Sequence, residues 1–220
     1  MEKSNATIVL AVLCLIITIF SWLSNPEQIF TNYGYSTENL LSGKYYVLIT
    51  SIFLHSDFNH LLSNLLALLV FGLALEEEIG SKKFLILFFS GALLGDLLSS
   101  LIYSSTQISI GASAGIFSIM AAAILIKPIK IEVFVPIPLG VIGIGYLIYA
   151  LIGLIANYPP YVAHIAHMGG IFVGLFYGFK VRGSKNALRI LIALFLLFLF
   201  IPFIWNFWVL IVNSILSIFS

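Results

Sequence analysis

Ser113 stands in the stretch Ile110-Gly111-Ala112-Ser113-Ala114-Gly115-Ile116-Phe117, one hydroxyl among small residues at the head of an apolar run. Two readings are open. Small residues let helices approach closely, and a hydroxyl in such a run can bond back to its own helix. Alternatively Ser113 is a nucleophile, with Gly111 and Gly115 clearing space for an approaching group. A serine hydroxyl is a weak nucleophile until a base takes its proton, so the second reading requires a base. The histidines His55, His60, His164 and His167 are the candidates. His60 and Asn64 are four residues apart and share one helix face. His164 and His167 open a run in which Gly170, Gly174 and Gly178 repeat every four residues. That ridge is by itself a packing device that lets another backbone come close, and the segment with Gly111, Ala114 and Gly115 is the partner suited to it.

The elements that must position these groups follow from composition. With 61% hydrophobic residues, 9% charged and a mean hydropathy of +1.13, the chain is excluded from ordinary soluble domains and belongs in a bilayer. Its net charge of +1 gives no electrostatic footprint, and no nucleic-acid partner is expected. Cys14 lies alone inside the first apolar run, so no intramolecular disulfide forms and the residue reads as a small buried hydrophobe. That run is long for a signal peptide and lacks a small-x-small cleavage site before Asn25-Pro26, so it reads as a retained anchor.

Apolar runs at 7–23, 60–75, 84–103, 112–126, 134–156, 162–179 and 187–217 predict seven membrane spans. The second and fourth are short, with polar residues at one end, and are expected to be partly sheltered from lipid. The last is too long for one straight span and contains Pro202; it reads as a tilted, kinked helix or as a helix followed by an interfacial segment. With seven spans, Lys3, Lys82, Lys83, Lys127, Lys130, Lys180, Arg182, Lys185 and Arg189 fall on one side, and Lys44 alone on the other. The N-terminus is therefore expected in the cytoplasm and the C-terminus outside. Residues 24–59 form a long external connection containing Tyr33, Tyr35, Tyr45 and Tyr46. The apolar run Tyr45–Leu54 is too short to cross and is expected to lie in the interface, anchored by tyrosines.

This topology brings the polar groups together. Ser113, the His60/Asn64 pair and His167 each stand near the start of an even-numbered span entering from outside. At ~1.5 Å per residue, each lies within roughly 10 Å of the outer boundary. The set comprises a nucleophile, a base and donors for a developing oxyanion.

The chain resembles the rhomboid family of intramembrane serine proteases. The resemblance rests on Leu48-Ile49-Thr50-Ser51-Ile52-Phe53-Leu54-His55, His60-x-x-x-Asn64, Gly111-x-Ser113 and Ala166-His167-x-x-Gly170-x-x-x-Gly174, in order over residues 40–180. It implies an all-α membrane protein: a rhomboid-like six-helix transmembrane bundle with one additional C-terminal helix. The parts would be an N-terminal transmembrane helix at 1–24, an external interfacial loop at 25–59, core helices two to six at 60–181 and an appended helix at 182–220. Ser113 would be the nucleophile and His167 its base, a dyad without an Asp. His60, Asn64 and the Ser113 backbone N–H would form the oxyanion hole. Phe117 would stack on the His167 ring and orient it, and Glu76 matches a structural carboxylate near the inner end of span two. Transmembrane protein substrates and membrane lipid are the implied partners, with no cofactor; the short chain without a long extramembrane segment is expected in a plasma membrane.

Two positions depart from the family pattern. Ala114 stands where Gly usually follows the nucleophile, and Tyr46-Val47 replaces a Trp-Arg pair in the interfacial loop. Ala114 keeps open the reading of a rhomboid-like binder that cuts nothing. Asp96 reads as a protonated or serine-bonded structural carboxylate, its alternative being a proton path in a small transporter. The Glu76-Glu77-Glu78 and Lys82-Lys83 groups read as a solvated inner face, and no metal site is expected.

Overall fold

The computed structural model describes residues 5–131, 137–158 and 162–216. The chain is an all-α membrane bundle. Its ten α-helices among the described residues are α1 (Ala6–Leu23), α2 (Pro26–Tyr33), α3 (Thr37–Leu41), α4 (Val47–Thr50), α5 (Phe58–Ile79), α6 (Ser81–Ile102), α7 (Ser113–Ile126), α8 (Leu139–Ala156), α9 (His164–Arg182) and α10 (Ser184–Leu216). The seven predicted spans correspond to α1 and α5 to α10. Five helices, α1, α5, α6, α8 and the Ser184–Phe203 part of α10, are long and apolar enough to cross a membrane. Residues 134–136, Lys3 and residue 217, which enter the expected spans and charge pattern, lie outside the described residues.

Helix α7 is the centre. It has 14 residues, and every side chain from Ala114 to Ile126 is buried. A helix that is apolar all round is buried on all sides, and glycines on its neighbours make that possible. On α9, a methyl group at Gly170 would lie 2.0 Å from the Ala114 carbonyl oxygen, and one at Gly174 would lie 2.1 Å from that of Ser118. Gly178 faces Leu125 in the same row. The expected ridge thus packs on α7. Helix α6 contributes a second seam, in which Gly91 meets Ser118 and Gly95 meets both Ala114 and the Ala166 carbonyl. Helix α8 closes a further side, with Gly143 over Ile124.

Polar groups fix the ends of the bundle. Buried Glu76 on α5 caps α1: it accepts the Ala6 and Thr7 backbone N–H groups at 2.9 Å each and the Thr7 hydroxyl at 2.7 Å, with Ser81 donating as well. A carboxylate thereby meets donors that a helix start leaves without partners. Glu76 is therefore no part of a solvated face. Its neighbours pair with α7's end rather than with Lys82 and Lys83: Glu78 with Lys127 at 2.6 Å and Glu77 with Lys130 at 3.2 Å. Arg182 closes the C-terminus of α7 by donating to the Leu125 and Ile126 carbonyls.

Residues 24–59 depart from a plain interfacial loop. Asn25 and Ser36 accept backbone N–H groups at the starts of α2 and α3, folding the segment into short helices. Tyr45 and Tyr46 are exposed, but Val47 and the stretch Ser51 to His55 are buried in protein, and so is Tyr35. The segment is a strap, half at the surface and half in the bundle. It holds the loop before α7: Tyr35 and Ser109 exchange backbone hydrogen bonds at 2.9 and 2.7 Å, Glu38 N–H donates to Ser105, and Gly111 N–H donates to the Ser51 carbonyl at 2.9 Å.

The last helix runs continuously through Pro202 for 33 residues. At ~1.5 Å per residue its length of about 50 Å exceeds a hydrocarbon core of about 30 Å.

The Gly174→Ala protein should lose about 1–3 kcal/mol of stability, because the added methyl overlaps a carbonyl oxygen on the buried helix. Thermal unfolding in detergent micelles, beside Gly145→Ala facing the tip of the Phe198 ring, tests this; equal midpoints for the two variants would contradict it.

Candidate active site

Ser113 is the first residue of α7, and Gly111 shapes the turn that delivers it. Gly111 has φ +122°, a conformation that residues with a Cβ rarely adopt. A methyl there would also lie 2.7 Å from His60 Nε2. The missing side chain therefore lets the ring of His60 rest against the backbone two residues before Ser113.

His167 lies in the first turn of α9, and the Gly170 approach to Ala114 sets it opposite Ser113. Ser113 Oγ and His167 Nε2 are 2.9 Å apart. The Phe117 ring, one turn along α7, stacks on the imidazole with centroids 4.4 Å apart and planes inclined by 31°. His164 approaches the same ring edge-on at 6.2 Å and packs against Gly153 of α8. His167 is buried, and its Nδ1 has no hydrogen-bond partner among the described residues. Contact area rather than a carboxylate fixes the ring. A serine proton directed at Nε2 puts the imidazole proton on Nδ1.

Asn64 is buried one turn below His60, and its Nδ2 donates to the His60 carbonyl at 2.8 Å. That amide carries two protons, of which this bond uses one. The first N–H groups of α7, Ser113's included, have no acceptor within their own helix, and the positive end of the helix dipole points the same way. The arrangement gathers a hydroxyl, an imidazole that can accept its proton, and several donors around one helix start.

Gly115 does not clear the way to Ser113. A methyl on it would lie 2.8 Å from the Phe88 ring, so its role is to seat α6. The Ala114 methyl is likewise turned to α6, where Gly95 leaves room for it, rather than toward the hydroxyl. Asp96 is buried on α6, and its Oδ2 has no hydrogen-bond partner among the described residues, so no serine engages that oxygen. Those residues also bring together no three side chains able to hold a metal ion.

Three supports escape the sequence reading. The α6 seam was signalled by the Gly91-x-x-x-Gly95 spacing. The Ser51–Gly111 bond has no local signal. Neither has the seat of His55, where Thr18 Oγ lies 3.0 Å from His55 Nδ1 and the Trp22 indole donates to the His55 carbonyl at 2.9 Å. Burial, and then the neighbouring His60, pushes His55 down to about 3, so that ring is neutral.

Ala114→Gly should cost about 1 kcal/mol, the usual penalty for glycine in a helix, and should not loosen the Ser113–His167 pair. Thermal unfolding and a crystal structure of the variant test both; a gain in stability would show that the methyl is cramped.

Residues 42–184, most of the chain, match the family model of the Rhomboid domain. RHOMBOID-like protein 12, mitochondrial, of Arabidopsis thaliana is 28% identical over 181 residues, which cover 73% of this chain and 54% of that protein. Rhomboid-like protease 3 of Toxoplasma gondii is 32% identical over 152 residues, covering 65% of this chain and 56% of that protein. Rhomboid protein 1, mitochondrial, of Saccharomyces cerevisiae is 29% identical over 151 residues, with 64% and 43% covered. The chain spans about half the length of the curated relatives it matches. Since the matched region runs from the strap through α9 and includes every residue gathered around Ser113, this integral membrane protein belongs to the rhomboid family.

Proposed function

We propose that the protein is an intramembrane serine endopeptidase that cleaves transmembrane segments of other membrane proteins near the outer surface. The observation that carries the reading is the 2.9 Å approach of Ser113 Oγ to His167 Nε2 within a rhomboid bundle. That a Toxoplasma gondii relative is named a protease supports it.

In this reaction His167 Nε2 takes the Ser113 proton as Oγ bonds to the substrate carbonyl carbon. The carbonyl oxygen becomes an anion and is met by the Ser113 N–H, His60 and Asn64. Collapse of the intermediate breaks the C–N bond, and the Nε2 proton passes to the leaving amine. Water, deprotonated by the same imidazole, then hydrolyses the ester and returns the proton to Ser113. Phe117 holds the ring for both transfers. No cofactor enters the reaction.

The basic residues Lys127, Lys130 and Arg182 gather at the end of the bundle opposite Ser113. By the positive-inside rule that end is cytoplasmic, with the N-terminus there and the C-terminus and active site outside; the membrane proposed is a plasma membrane. Lipid meets the exposed apolar residues of the outer helices, such as Phe20, Leu101 and Phe203.

The purified protein in detergent should be labelled covalently by a fluorophosphonate, and labelling should vanish in Ser113→Ala and fall at least about a hundredfold in His167→Ala. Ala114→Gly should label like the wild type. A folded wild type that takes no label would leave a helix-binding protein in place of an enzyme.

A further inference from the structure

His164 stands between His167 and the outer end of α8. It opens α9 three residues before His167, so the two side chains share one face of the helix. Their rings meet at right angles with centroids 6.2 Å apart, while Phe117 stacks on His167 at 4.4 Å. The imidazole of His167 is thus flanked by two rings, one from α7 and one from its own helix. His164 is itself buried, and one edge of it rests on α8. A methyl at Gly153 would lie 2.5 Å from His164 Cε1 and 2.6 Å from its Nδ1. The ring therefore lies directly on the Gly153 backbone and needs the missing side chain.

The way α8 is attached gives this contact its weight. Toward its inner end α8 is seated by Gly143 over Ile124 and by Gly145 against the Phe198 ring. In its last two turns only Ala150 and Gly153 are buried, while Leu151, Ile152 and Ile155 are exposed. The Gly153 carbonyl accepts the N–H groups of Asn157 and Tyr158, which closes the turn that meets His164. In a close-packed interior a shift of that turn is passed to the ring lying on it, and from there to the next ring.

We infer that His164 is a positioning residue that holds His167 in register with Ser113, and that Gly153 of α8 sets where His164 stands. The inference rests on the proposed reading in which His167 is the base. Proton transfer needs Ser113 Oγ and His167 Nε2 at hydrogen-bond distance, 2.9 Å here, and a misplacement of about 1 Å costs about a hundredfold in rate. Phe117 opposes tilting of the imidazole; the perpendicular His164 opposes motion in a different direction.

The test uses the full chain in detergent micelles. In the wild type, nuclear magnetisation should pass between the His164 ring and the Gly153 α protons; its failure to do so overturns the inference without any variant having to fold. In cleavage of a quenched fluorescent transmembrane peptide, Gly153→Ala should lower kcat about ten- to a hundredfold with KM unchanged, and the nitrogen-15 signals of the His167 ring should move. Gly145→Ala, the same change on the same helix but away from His164, should alter neither. His164→Ala should lower kcat about tenfold, and adding Gly153→Ala to it should cost nothing further, since the methyl then meets no ring. Losses that multiply in the double variant mean that Gly153 acts on the bundle rather than through His164, and they overturn the inference. Lowered thermal stability in Gly153→Ala with kcat intact overturns it too. If His167→Ala abolishes cleavage while His164→Ala cleaves at the wild-type rate, the inference fails alone. If His167→Ala itself cleaves at the wild-type rate, the base reading beneath it fails instead.

Discussion

Everything near Ser113 depends on the depth to which α7 is buried. Fourteen residues make a helix of ~21 Å, shorter than a hydrocarbon core of about 30 Å, so at least one of its ends lies below a membrane surface. Lipid cannot satisfy the backbone groups at such ends, and protein must do so. At the C-terminus the Arg182 side chain fills that need. At the N-terminus the first N–H groups have no acceptor within α7 itself, and the proposed oxyanion is a partner for them. The short helix can sit so deep because carbonyl oxygens of α7 come within reach of glycine backbones on α9 and α6, at spacings that exclude even a methyl group. Membrane helices gain little from hydrophobic association with one another, so close packing of this kind is what holds them. The distance between Ser113 and His167 follows from the Ala114–Gly170 contact, three residues from His167.

Helix α1 and the strap form a second layer of constraint. Glu76 ties the start of α1 to α5, while Thr18 and Trp22 tie its far end to the His55 segment. The strap is thus anchored before it reaches the loop ahead of α7. Its Ser51 carbonyl then holds Gly111, and its Tyr35 backbone holds Ser109. The loop that delivers Ser113 has a fixed path, set by backbone bonds to an element far away in sequence.

Much of this was legible in advance, for a physical reason. In lipid every span must be a long apolar helix, so runs of apolar residues reveal the spans directly. The four-residue glycine period on α9 announced a close contact, and alternation of the spans put Ser113, His60 and His167 at one end. Direction within a contact was less legible. Gly115 and Ala114 are adjacent to Ser113 in sequence, yet both face α6, because helical rotation of 100° per residue carries neighbours to different sides. The helices of the strap were not legible because they are only four to eight residues long. Segments that short show no periodicity, and their buried side chains answer to distant partners. Asp57, three residues before His60, carried a readable capping signal for the start of α5.

That no carboxylate among the described residues partners His167 Nδ1 fits the same economy of charge. An ionised acid on Nδ1 would have to be buried with its partner, and desolvation of such a pair offsets most of its attraction. Stacking on Phe117 fixes the ring plane through contact area and asks for no charge. His60 follows a different rule because it sits at a helix start, where exposed Asp57 accepts its backbone N–H and Ser56 Oγ lies 3.1 Å from its Nδ1. Each ring is thus oriented by the means its depth allows: an aromatic face inside the bundle, and a hydrogen-bonded turn at its rim.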